Sequence, residues 1–329
     1  MFDLQKLRRS LKYHFGKPQS MTWSFLLLVS SVFTALFFAL KCSLGNMDLK
    51  VPATSLVGYA IFMPLFVFFA LVLPALLLND GNTSALTGNY TGTGILIISF
   101  LSGLPLMLLS TVLYNIVTWL FLRVGSKVYY PAFFFYGGTD TKIGSALAII
   151  SDTVIPAFGI CIFFFGLLWS RFRFSQKKLA YFVVILAYTL FSMDILGFLA
   201  SILVGWWCCR LRDKTDGTYA PFLCLLSSRI CSVIFSGTLP KIDIYTIQTY
   251  SDVPSSFFYA ALPSTFIAII LLAYFMRLFD DYYYKYMGSD IPDDDESIPS
   301  TTVNLNFGLI VSMLIMISIW ILMFKGAHI

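Results

Sequence analysis

The feature that most constrains this chain is a succession of long apolar runs with short polar stretches between them. They lie near residues 22–41, 55–78, 93–122, 145–169, 178–193, 195–209, 219–238, 257–277 and 305–324. A run of about 20 apolar residues matches the roughly 30 Å hydrocarbon core of a bilayer. That core holds no water to satisfy the backbone, so every N–H and C=O must find a partner within the segment, and the runs read as helices. Charge agrees: only 12% of the 329 residues are charged, against about 25% in soluble domains. The expected fold is all-α, a polytopic integral membrane protein of about eight or nine transmembrane helices. The third run is long enough to tilt or kink, with Gly103-Leu104-Pro105 as the kink site. The fifth and sixth are short, joined around Ser192-Met193-Asp194, and read as a hairpin that need not cross fully.

Orientation follows from lysine and arginine placement. Lys6, Arg8, Arg9, Lys12 and Lys17 precede the first run, which puts the N-terminus in the cytoplasm. Nine crossings then bring Arg171, Arg173, Lys177, Lys178, Arg210, Arg212, Lys214, Arg277 and Lys285 to the same side. The opposite side receives Lys41, Lys50, Arg123, Lys127, Lys142, Lys241 and Lys325. Residues 1–21 form a basic cytoplasmic segment, and Leu4, Leu7, Leu11 and Phe15 at helical spacing suit an interfacial helix on an anionic leaflet. The run at 22–41 is longer than a signal core and no clear small-residue cleavage site follows it. The net charge of +5 therefore speaks for a membrane surface and not for nucleic acid, since no basic stripe with interleaved aromatics is present.

The remaining polar features are modest. Cys42, Cys161, Cys208, Cys209, Cys224 and Cys231 show no metal spacing, and buried cysteine ordinarily packs as a small apolar residue. Cys208-Cys209 beside Arg210 is a pair of the kind that can be palmitoylated. Residues 79–92 contain the glycosylation-type triplets Asn82-Thr83-Ser84 and Asn89-Tyr90-Thr91, but the topology places them in the cytoplasm. The acidic stretch 280–299 lacks the spacing of a calcium loop and reads as a solvated linker. No internal repeat of the transporter type is visible.

Absences narrow the chemistry. His14 and His328 are the only histidines, Glu296 is the only glutamate, and none of them lies in an apolar run. A catalytic zinc needs about three such ligands and a carboxylate to activate water. Neither that site nor a Ser-His pair can be assembled inside the membrane. The ionisable residues at membrane depth are Asp152, Asp194 and Arg229, and such residues are costly enough to count as functional candidates. The flanks Ser151-Asp152-Thr153 and Met193-Asp194-Ile195 do not resemble intramembrane aspartyl-protease motifs.

Three consecutive blocks carry a family likeness. VIPAFGICIFFFGLLWSRFR at 154–173 supplies an apolar helix, Gly166 and a basic turn; AYTLFSMDILGFLASILVGWW follows at 187–207; RLRDKTDGTYAPFLCLLSSR at 210–229 holds Thr215, Ala220 and Pro221. In order and spacing these resemble the CAAX protease and bacteriocin-processing membrane family, also called Abi. The resemblance covers under a third of the chain. It implies that the family's glutamate pair falls on Ile160 and Cys161, its arginine on Phe165, its second-motif Phe and His on Tyr188 and Ser192, and its third-motif His and Asn on Leu225 and Arg229. None of the family's metal-protease residues stands at these vestigial positions, so no metal or other cofactor is expected. The resemblance thus implies a catalytically degenerate, protease-like helical core.

The resulting organisation is a segment at 1–21, N-terminal transmembrane helices at 22–144, an Abi-like core at 145–238 and C-terminal helices at 239–329 that include the acidic loop. The expected location is a bacterial plasma membrane. The expected function is non-catalytic: a scaffold, regulator or immunity-type partner of another membrane protein or a hydrophobic peptide, bound in the vestigial cavity. A transporter or channel subunit with a polar path through Asp152, Asp194 and Arg229 is the alternative, and an enzyme of unrecognised chemistry ranks third. A buried arginine calls for a partner; Asp194 is the first choice for Arg229 and Asp152 the second.

Overall fold

A computed structural model describes residues 19–46, 63–78, 87–88, 91–125, 142–172, 177–192, 194–235, 239, 242, 251, 253, 255–287 and 307–325. The expected segment before residue 19, the glycosylation-type triplet at 82–84, the first two residues of the one at 89–91 and the acidic residues beyond 287 lie outside the described residues. Within them the protein is helical, and the one β-type pairing is an isolated bridge between Gly88 and Gly217.

The helices follow the apolar runs. They are α1 (Gln19–Asn46), α2 (Met63–Val67), α3 (Leu73–Leu78), α4 (Thr93–Val124), α5 (Lys142–Ile160), α6 (Trp169–Phe172), α7 (Lys177–Phe191), α8 (Phe198–Thr215), α9 (Tyr219–Ile234), α10 (Ser255–Met287) and α11 (Phe307–Lys325). Two π-helical stretches are inserted without a break: π1 (Phe68–Val72) between α2 and α3, and π2 (Cys161–Leu168) between α5 and α6. α4 continues through Gly103-Leu104-Pro105, although Pro105 can donate no hydrogen bond to the turn before it. It stops at Gly125, whose left-handed φ of 71° lets its N–H reach the carbonyls of Phe121 and Leu122. Two elements outrun their sequence bounds. α8 runs through the basic turn as far as Thr215, and α10 runs to Met287, so Asp280 and Asp281 are helical rather than part of a loop.

Packing radiates from α4, which lies against α8, α9 and α10; α1 pairs with α11, α7 with α8, and α5 with α2 and α9. Small residues set the closest approaches. A Cβ on Gly103 would sit 2.7 Å from the Cys224 carbonyl oxygen and 2.7 Å from Ser227 Cβ, and one on Gly159 would collide with Val67. Small residues at these points let the helix backbones approach closely. The core between α4, π2, α7, α8 and α9 is aromatic, with Phe163, Phe164, Phe165, Trp169 and Trp207 all essentially fully buried.

The chain alternates in direction, and its ends gather into two groups. At one end the Thr218 N–H donates to the Thr87 carbonyl at 2.8 Å, Arg210 pairs with Asp280 at 2.6 Å, the Tyr181 hydroxyl donates to Asp213, and the Lys214 ammonium lies 4.9 Å and 5.0 Å from the ring centres of Tyr283 and Tyr284. At the other end the Ile242 N–H donates to the side-chain oxygen of buried Asn115 at 3.0 Å, and Trp320 Nε1 donates to the Leu190 carbonyl at 3.0 Å. Two described helices are long and apolar enough to cross a membrane, Thr93–Val124 and Ala261–Lys285; six shorter apolar helices accompany them.

Candidate functional site

The vestigial positions come from three helices that meet mid-core. π2 begins at Cys161 and carries Phe165, α7 carries Tyr188, and α9 carries Leu225 and Arg229. Cys161, Phe165, Tyr188 and Leu225 are all buried. The Phe165 and Tyr188 rings lie 5.9 Å apart, and Phe164 stands edge-on to Tyr188 at 5.8 Å. Ile160, the last residue of α5, packs against the same cluster. Arg229 is half-buried. Helix α8 closes the site from the side, with Gly205 facing Tyr188: a Cβ there would sit 3.1 Å from the ring. Cys208 on α8 and Cys224 on α9 interact through their side chains.

The structure therefore places Ile160, Cys161, Phe165, Tyr188 and Leu225 in one hydrophobic core. It does so with side chains that fill space. Cys208 and Cys209, next to each other in the sequence, are both fully buried, so neither thiol is presented for acylation in this conformation. Among the described residues no three His, Cys, Asp or Glu side chains converge as metal ligands.

The remaining candidates are Ser192, Asp194 and Asp152. Ser192 is one turn beyond Tyr188, at the end of α7, where its hydroxyl donates to the Thr189 carbonyl at 2.7 Å. Asp194 lies in the link between α7 and α8. Its Oδ1 accepts the Gly197 N–H at 2.9 Å, one of the backbone donors at the start of α8 that need a partner outside the helix. A Cβ on Gly197 would collide with that carboxylate, which is why glycine suits the position. Asp194 thus has a local structural task. Asp152 belongs to α5, and its side chain lies outside the described residues.

Two polar groupings escape a reading of the sequence. On the far side of Cys224, Trp207 Nε1 donates to Ser102 Oγ at 3.0 Å, and the Ser102 hydroxyl reaches the Ser99 carbonyl at 2.7 Å and Cys224 Sγ at 3.5 Å. This ties α4, α8 and α9 together beneath the aromatic cluster. The second is Arg212. Assigned by sequence to a basic turn, it is buried at 4% exposure; its Nε donates to the Phe165 carbonyl at 2.9 Å and its guanidinium contacts Asp216 at 3.3 Å. A signal is present in the sequence: Cys208, Arg212 and Thr215 fall on one helical face with Leu211 beside them, and all four are buried.

No family model matches the chain, and neither a curated protein nor a solved structure aligns with it significantly.

Proposed function

We propose that this chain is a multi-pass integral membrane protein that acts by binding, as a scaffold, regulator or immunity-type partner of another membrane protein or a hydrophobic peptide. The observation that carries this reading is the packed centre. The positions that an Abi-like register assigns to metal chemistry hold Cys161, Phe165, Tyr188 and Leu225, all buried in one hydrophobic core, with Phe165 against Tyr188. With the centre filled, the partner meets the outside of the bundle and not a vestigial cavity. The outside is strongly apolar, with Phe182, Ile234, Phe266 and Ile270 each more than 60% exposed. Contiguous apolar surface on this scale is foreign to water-soluble monomers and ordinary against lipid tails. The end that gathers Thr87, Arg210, Lys214 and Lys285 is the cytoplasmic one in this reading, in keeping with the positive-inside rule.

Helix α10 offers the broadest face, because it packs mainly on α4 and leaves Leu262, Phe266, Ile267, Ile269 and Ile270 uncovered. The partner element that fits is another apolar helix lying along it. A photo-crosslinking amino acid at Phe266 or Ile270, in the full chain in its native membrane, tests this. The expected result is one defined protein adduct that saturates with illumination and is absent when the probe stands at Phe182 on α7. Lipid adducts alone at all three positions would refute the reading.

A further inference from the structure

Buried Arg212 joins two features that are each unusual. One is π2. Most π-helix occurs as a single-turn bulge inside an α-helix, whereas π2 extends over eight residues and closes with the Trp169 N–H on the Phe164 carbonyl, five residues back. The other is the turn after α8. Asp216 adopts a left-handed φ of 49°, a conformation uncommon for residues other than glycine, asparagine and aspartate. The loop backbone at 87–88 is pressed onto this turn. Gly88 bridges Gly217, the Thr218 N–H and hydroxyl both donate to the Thr87 carbonyl, and a Cβ on Gly88 would collide with the Asp216 carbonyl oxygen. Between the two stands Arg212, with Nε on the π2 carbonyl of Phe165 and a guanidinium nitrogen on Asp216. Its side chain is 5% exposed, while that of Asp216 is 51% exposed.

We propose that Arg212 is a latch that couples the seating of the 87–88 loop on the Asp216 turn to the π-helical state of Cys161–Leu168. The alternative state of this segment is an α-helical register. An α-turn closes one residue sooner than a π-turn, and one residue subtends about 100° around the helix axis. Conversion would turn the Cys161 and Phe165 side chains away from Tyr188 and Leu225 and repack the centre of the bundle. The Arg212 bond holds the Phe165 carbonyl where the wide turns need it, and the Asp216 turn holds Arg212. Lifting the loop frees Asp216, slackens Arg212 and lets π2 move. The inference concerns the same centre as the proposed function, yet it is tested in the purified chain alone, so it stands or fails whether or not a partner binds.

The test is a coupling cycle read by fluorine NMR on the full chain in lipid nanodiscs, with 5-fluorotryptophan in place of tryptophan. Trp169 ends π2 and is fully buried; its resonance is assigned with Trp169→Phe. Trp320 at the opposite end of the bundle is the reference. Gly88→Ala perturbs the loop, and Arg212→Met removes the latch. The expected result is that Gly88→Ala shifts or splits the Trp169 signal in the otherwise native chain, leaves Trp320 in place, and has no such effect when Arg212→Met is also present. If Arg212→Met does not fold, Asp216→Asn takes its place as the decoupling change, because it weakens the latch with Arg212 still there. An equal Trp169 response with and without the latch overturns the proposal. So does no response in the native background, or a shift of all tryptophans together.

Discussion

Gly103 offers the sharpest test of how the bundle is held together. Sequence alone marks it as part of a kink; the structure makes it the contact point of α4 with α9. A methyl group there would lie 2.7 Å from the Cys224 carbonyl oxygen, Ser227 Cβ and the Ser228 nitrogen. Two of these are backbone atoms, so no side-chain rotation relieves the clash. The helices would have to part by roughly 0.8 Å to restore an ordinary separation of about 3.5 Å. A gap of that size forfeits about a quarter to a half of the dispersion energy along the opened seam. Overpacking of this kind costs about 1–3 kcal/mol, and replacing glycine by alanine inside a helix returns about 1 kcal/mol. Gly103→Ala should therefore destabilise the protein by up to about 2 kcal/mol, measured as reversible unfolding in mixed micelles with tryptophan fluorescence. Gly92→Ser is the control, since nothing lies within 4 Å of where its Cβ would stand and serine suits the N-cap position that Gly92 holds on α4; it should not destabilise the protein by more than about 0.5 kcal/mol. Gly103→Ala at or above wild-type stability would show that α4 and α9 are not held by this contact.

Three further outcomes follow from the same reasoning. Ser102→Ala strands the buried Trp207 N–H and should cost about 1–3 kcal/mol, while adding Trp207→Phe should recover much of it; equal losses in the single and double variants would refute the pairing. In the Arg210–Asp280 pair, Arg210 Nε and Asp280 Oδ1 are buried atoms with no hydrogen-bond partner, so Asp280→Asn and Arg210→Gln should each cost more alone than the two together, with a coupling on the order of 1 kcal/mol in a double-mutant cycle. In a background lacking the native cysteines, single cysteines at Thr87 and Lys285 should react with a membrane-impermeant maleimide from one side of the membrane and a cysteine at Ser251 from the other; labelling of Thr87 and Ser251 positions from the same side would contradict the alternation of the helices.

The elements were legible because a bilayer-sized apolar run has few alternatives. The described bounds of α4, α7, α9 and α11 fall within a few residues of their runs, since a run must be a helix wherever water is missing. The ends were less legible. Asp280, Tyr283 and Lys285 look like the start of a loop, yet α10 carries them on to meet Arg210 and Lys214. Polarity marks where a helix leaves the apolar layer, not where its hydrogen bonds stop. The π-helical stretches were not legible at all. Their residues, Phe-Phe-Ala-Leu-Val and Cys-Ile-Phe-Phe-Phe-Gly-Leu-Leu, are ordinary apolar sequence, and what separates a π-turn from an α-turn is the carbonyl partner, which only the tertiary structure supplies.

The candidate site divides along the same line. The apolar character of positions 161, 165, 188 and 225 was readable, and all four are buried in one core, with the Phe165 and Tyr188 rings 5.9 Å apart. The charges were not readable from depth alone. Asp194 stands out in the sequence because an aspartate at that depth is expensive, and in the structure its carboxylate accepts a backbone N–H at the start of α8. Arg212 looks like one surface charge among Arg210, Asp213 and Lys214, yet it is the charge that the fold has taken inside. A guanidinium carries its donors in a planar fork on a long stem, so an arginine whose Cα lies near the polar edge can bury its head against a carbonyl several residues deeper. The Phe165 carbonyl accepts such a bond, and it belongs to the π2 turns whose neighbouring side chains line the centre of the bundle. Hydropathy ranks charges by where their Cα lies; what decides their role is which backbone group has been left for them to satisfy.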